Sequence, residues 1–171
     1  MKILYLNDEL ATNDGSNYHA LGILNNLQQL LDEDCIRPFP SPIDGSEKSI
    51  NHKTLMLQER FKRSLQLMRI IRKKILSRTR CSSIIHSLQL EGWHPTHIIA
   101  RSVIFDTTAI HLAKHFHAKL IYEVNAPLYY EQCVINHLPF TTAVKKWENT
   151  ILQKADLIYT VSYISQQMLL S

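Results

Sequence analysis

The chain lacks most of the features that would announce a function directly. Its three cysteines, Cys35, Cys81 and Cys133, are odd in number, far apart and without a C-x-x-C pair. Nothing in that pattern calls for a disulfide framework, and three reduced thiols in a cytoplasmic chain are expected. No apolar run approaches the ~20 residues of a membrane span. Met1-Lys2-Ile3 leads straight into a strand-like segment with no small-residue cleavage site, so no signal peptide is read there. No G-x-G-x-x-G follows the first strand, which removes the dinucleotide fingerprint. His111 and His115 stand four apart on one predicted helix but without H-E-x-x-H, so they are taken as surface histidines and no metal site is expected. Acid is missing from one long stretch: none lies between Glu59 and Glu91, while Arg60, Lys62, Arg63, Arg69, Arg72, Lys73, Lys74, Arg78 and Arg80 do.

What remains is the pattern of a soluble α/β domain. At 171 residues, with 45% apolar and 20% charged content, the chain fits one domain. Strands are expected at 2–7, 35–39, 97–101, 119–124 and 157–161. Helices are expected at about 18–31, 53–77, 83–90, 107–117 and 140–153, with another opening near Ser162. Ser16 or Asn17 is read as the first N-cap. The prolines Pro38, Pro40 and Pro42 end the second strand, and Asp44-Gly45-Ser46 makes a turn. The strand segments are short, nearly continuous apolar runs, which indicates burial on both faces and a mostly parallel, doubly wound, Rossmann-like sheet flanked by helices.

Ligands in such sheets bind beyond the carboxyl ends of the strands. Here those ends are polar: Asn7-Asp8, Arg101-Ser102, Glu123-Val124-Asn125 and Thr160-Val161-Ser162. Candidate substrate-binding residues follow from that placement. Gly15 and Ser16 lie between the first strand and its helix, where backbone N–H groups attract anions. Arg101 offers a planar fork, Asn125 an amide that both donates and accepts, and Glu131 a loop carboxylate. Ser162 fits an N-cap of the final helix and also faces the same edge. Glu123 is read as a structural acid paired inside the fold. No two carboxylates have a definable separation, so no acid/base pair is assigned.

Three stretches carry a family resemblance: Tyr122-Glu123-Val124-Asn125-Ala126-Pro127-Leu128, Trp147-Glu148-x-x-Ile151-Leu152-x-x-Ala155-Asp156-x-Ile158-x-Thr160-Val161-Ser162, and Pro95-Thr96-His97-Ile98-Ile99-x-Arg101-Ser102. With the opening strand and the Gly15-Ser16 loop, they resemble the N-terminal domain of family-4, GT-B-type glycosyltransferases over nearly the whole chain. The resemblance implies the acceptor-side half of a retaining enzyme without metal or other cofactor. Its nucleotide-sugar donor and a pair of spaced glutamates would belong to a second domain. Residues 1–171 match the first domain only, so the chain alone is expected to be inactive. One departure is the first loop, where many relatives have two adjacent glycines; here Asp14 precedes Gly15, which makes close phosphate contact less comfortable.

The basic stretch has its own readings. A solvated helix face is one. Association with an anionic membrane surface through residues 60–80 is another, because Leu65, Met68, Ile71, Ile75 and Leu76 oppose the cations. That would suit a glycan or lipid-linked acceptor and a peripheral position at the inner membrane face. Nucleic acid is disfavoured, since aromatic residues do not interleave the charges. The rival function is a non-catalytic sugar- or nucleotide-binding, or partner-docking, domain of the same shape. A response-regulator-like or flavodoxin-like domain is disfavoured, since no acidic cluster flanks a phosphorylatable aspartate.

Overall fold

The computed structural model describes residues 1–11, 15–41 and 59–170. The expected turn at 44–46, Asp14 and the start of the helix expected at 53 lie outside them. Five strands form one all-parallel sheet: β1 (Ile3–Leu6), β2 (Ile36–Phe39), β3 (His97–Arg101), β4 (Lys119–Val124) and β5 (Leu157–Thr160), in the order β2-β1-β3-β4-β5. The order reverses between β1 and β3, which opens a crevice at their carboxyl ends.

Side chains alternate along each strand and so divide two cores. Leu4, Leu6, Ile98, Ala100, Leu120 and Tyr122 face one side, where they pack with α2 (Glu59–Leu90), α3 (Thr108–Phe116) and α4 (Thr141–Leu152) through Ile84, Leu112 and Val144. Ile3, Tyr5, Ile36 and Ile99 face the other and meet Ala20 and Leu24 of α1 (Gly15–Leu30). The final helix, α5 (Tyr163–Leu170), follows β5.

Two boundaries differ from expectation. A break is expected between the helices at 53–77 and 83–90, yet α2 is one helix of 32 residues that runs through it. That stretch contains neither glycine nor proline, and Ser77, Cys81, Ile84 and Leu88 are buried at helical spacing. Burial of that stripe overrides weak local preference. The helix ends where it should, at Gly92. The Gly92 N–H donates to Gln89 O and the Trp93 N–H to Leu88 O, with Gly92 at φ +62. This is a Schellman closure, sealed by the buried Leu88 and Trp93. At the other boundary, α1 begins at Gly15 rather than Tyr18. Ser16 and Asn17 are therefore inside the helix, and neither is its cap. The Asn17 amide donates instead to the carbonyls of Glu9 and Leu10, at 3.0 and 3.2 Å. That ties α1 to a 3₁₀ turn, Asp8–Ala11, directly after β1.

Residues 125–136, expected to be irregular, include a π-helical segment, Tyr130–Ile135. Its attachment is specific. Glu148 of α4 is buried and accepts from the backbone N–H groups of Leu128 and Tyr129, at 2.5 and 3.3 Å.

Candidate functional site

On the α1 side of the sheet, the last inward residue of each of three neighbouring strands is polar. In register these are Arg101, Glu123 and Tyr159. They lie one row beyond the apolar row Ile99–Ile121–Leu157. Parallel pairing thus turns three polar strand endings into a single polar row at the carboxyl edge.

Glu123 is at its centre and is fully buried, at 0% exposure. The Tyr159 hydroxyl donates to its Oε2 at 2.8 Å, and His19 Nε2 of α1 lies 3.1 Å from its Oε1. Asn125 completes the cage. With the Asn125 amide turned to the orientation that satisfies its neighbours, its nitrogen donates to Glu123 Oε1 at 2.9 Å, and its oxygen accepts from both terminal nitrogens of Arg101, at 3.0 and 3.1 Å. Arg101 pairs in turn with the Glu9 carboxylate. The result is a relay of side chains from α1 and β5 through Glu123, Asn125 and Arg101 to Glu9. Burial and the neighbouring Glu123 carboxylate push the Tyr159 and Tyr5 phenols well above the ordinary tyrosine range. Both hydroxyls therefore remain donors, and the Tyr5 oxygen also accepts from the Asn7 amide at 3.0 Å.

At the same carboxyl edge lies a cleft of about 300 Å³, at the switch point between β1 and β3. Asn7, Asp8 and Glu9 line it from the end of β1, and Arg101 and Ser102 from the end of β3. Glu131 and Gln132 close it from the π-helical segment, and Tyr122 and Leu128 also line it. Arg80 enters from α2 and is held by Asp8 at 2.5 Å and by Asp106 at 3.4 Å. Every guanidinium in the cleft is therefore paired with a carboxylate. Asp106 also accepts from the backbone N–H of Thr108 at 2.8 Å and so anchors the start of α3. Burial, with Asp106 nearby, raises the Tyr122 phenol far above its usual range.

Two of the six sequence candidates, Arg101 and Glu131, line this cleft. Asn125 stands behind it, joined to Arg101. Gly15 and Ser16 open α1, the helix whose His19 touches Glu123. Ser162 is elsewhere: its hydroxyl accepts from the Ser165 N–H at 3.1 Å and caps α5, as the N-cap reading required. Glu123 is the paired internal acid expected of it. Asp8, Glu9, Arg80, Asp106 and His19 were not singled out from the sequence. Asp8 and Glu9 directly follow a strand end, which was a usable signal. Arg80 was hidden within the basic run, and Asp106 and His19 carry no local mark.

His111 and His115 are both exposed, and no group of side chains suited to a metal occurs among the described residues. No helix among the described residues is long and apolar enough to cross a membrane. Compared with known proteins, the chain matches no family model, no curated protein and no solved structure.

Proposed function

We propose that the chain is the acceptor-binding half of a retaining GT-B-type glycosyltransferase, working opposite a domain that holds the nucleotide-sugar donor. The observation that carries this is the cleft at the β1/β3 switch point, about 300 Å³ and lined by carboxylates and guanidiniums already paired with one another. Its size is at the lower end of small-molecule sites, where a single sugar ring fits better than a dinucleotide. Paired acids and bases offer alternating acceptors and donors at fixed positions, which matches a ring of hydroxyls. Compensated guanidiniums are poorly placed to grip a free phosphate, which is why the donor is assigned to the facing domain.

The contribution to catalysis is position rather than proton chemistry. Asp8, Glu9 and Glu131 accept from acceptor hydroxyls, Arg101 donates, and the Asn125–Glu123 cage keeps the Arg101 fork from swinging away. The reacting hydroxyl then points out of the cleft, toward a donor on the far side.

Amide-resolved NMR tests the assignment. Neutral mono- and disaccharides are titrated into the labelled chain, and nucleotide sugars into a second sample. Saccharides should shift residues 7–9, 101–102 and 128–132, and Arg101→Ala should weaken that binding about tenfold or more. Shifts in this region from a nucleotide alone, with none from any saccharide, would remove the acceptor reading and favour a non-catalytic nucleotide-binding domain.

A further inference from the structure

We propose that the amino-terminal half of α2 is a docking arm for an anionic lipid surface, holding the open edge of the sheet toward that surface. The geometry comes first. Arg80 reaches Asp8 and Asp106, both just past the carboxyl ends of strands, while Leu90 and Gly92 turn into the amino end of β3. The stretch from residue 80 to 90 therefore spans the whole height of the sheet, about 15 Å at helical rise. The helix also extends in the opposite direction, from residue 79 back to 59. That adds about 30 Å of helix, and it lies beyond the edge that carries the cleft.

The side chains described on this arm face the wrong way for a core. Ser77, Cys81, Ile84 and Leu88 define the buried stripe. At about 100° per residue, Met68 and Ile75 lie about 180° and 200° around from Ser77. They are exposed at 61% and 68%, and the exposed Arg72, four residues after Met68 and three before Ile75, shares their face. Exposed apolar side chains interleaved with a cation suit a boundary between an apolar and a charged phase.

Charge identifies that phase. The arm belongs to the stretch with nine Lys and Arg and no acid between Glu59 and Glu91. Among these, Arg80 is committed to its two aspartates, whereas Arg72 and Arg78 are exposed. Exposed Met68, Arg72 and Ile75 share the outward face in a stretch without acid between Glu59 and Glu91, which matches an interface where acyl chains meet anionic headgroups. A protein partner would require an acidic groove to match these cations. A duplex would satisfy the cations but leave Met68 and Ile75 in water.

Vesicle flotation tests the docking without any sugar substrate, so its outcome is independent of the glycosyltransferase assignment. The whole chain is mixed with phosphatidylglycerol–phosphatidylcholine vesicles or with phosphatidylcholine alone. Binding should be at least about tenfold stronger to the anionic vesicles and should weaken with added salt. The double variant Met68→Ser/Ile75→Ser, both positions being exposed, should lower binding about tenfold or more with an unchanged circular dichroism spectrum. Arg72→Glu/Arg78→Glu should lower it by at least as much. Equal binding to both vesicle types, binding to neither, or a serine variant that binds like the wild type would overturn the proposal. A preference for duplex DNA over anionic vesicles that the serine changes leave intact would instead make the arm a nucleic-acid contact.

Discussion

Two glutamates are buried at different corners of the same sheet edge, and they are held in different ways. Glu148 is fixed by two backbone N–H groups, those of Leu128 and Tyr129. Glu123 is held by side chains alone, from α1, from β5 and from the loop after β4. Backbone donors cannot leave without unwinding the segment they belong to, so Glu148 is a clip that pins the π-helical segment over the cleft. Side-chain donors can rotate, so the Glu123 cage can transmit a change at Arg101 to His19 and Tyr159. Burial of an acid therefore says little about its role; the kind of donor around it separates a fastener from a responsive group.

The largest effect should come from Glu123→Ala. It leaves a tyrosine hydroxyl, an amide and an imidazole without their common acceptor, and a loss of about 3–5 kcal/mol in urea unfolding is expected. Glu123→Gln keeps an acceptor for Tyr159 and should cost less than half as much. A loss under about 1 kcal/mol for the alanine variant would mean that the cage does not hold the edge. Glu148→Ala comes next, at about 2–3 kcal/mol, because two backbone donors lose their acceptor. The two sites should also part company in where exchange changes: Glu148→Ala should speed amide hydrogen exchange at residues 128–135 and leave the Arg101 region slow. Burial raises the Glu148 carboxyl above its ordinary value of 4.5, against the pull of the two amides. The folded state then holds its proton more tightly than the unfolded state. Raising the pH from about 4.5 through the higher folded value therefore costs the wild type stability. The gap between wild type and Glu148→Gln, which does not titrate, should narrow over that window; a gap that widens would contradict the assignment.

Much of this contrast was legible in the sequence. All five strands lie where the sequence placed them, four of them with polar endings at Asn7, Arg101, Asn125 and Ser162, and parallel packing then makes one edge the site. The pairing of Arg101, Glu123 and Tyr159 was not legible, because register is a property of three strands together. Nor was the role of Glu148, since a carboxylate in the middle of an amphipathic helix looks the same whether it faces solvent or two amides across a loop. The π-helical segment has no period that a short run can reveal. The continuity of α2 through Ser77–Arg80 was lost to local propensity, whereas packing of Cys81 and Ile84 decided it.

The smallest change is also the most discriminating for the Glu123 cage. Tyr159→Phe removes one hydroxyl and leaves the ring in place, so it should cost about 1.5 kcal/mol at neutral pH, the low end for one hydrogen bond to a carboxylate, since its other donors remain. Its pH dependence has a definite sign. Burial first, and then the Glu123 carboxylate, raise the Tyr159 phenol above its ordinary value of 10.0. The stabilisation it provides is fully present below pH 10. Above that, the unfolded chain ionises its tyrosine while the folded chain does not, which favours unfolding by about 1.4 kcal/mol for each further pH unit. Wild type and Tyr159→Phe should therefore differ by a constant amount up to about pH 10 and converge near pH 11. Tyr5 is present in both proteins and cancels. A difference that stays flat across that range would mean that the hydroxyl meets water rather than Glu123, and the row Arg101–Glu123–Tyr159 would lose its outer member.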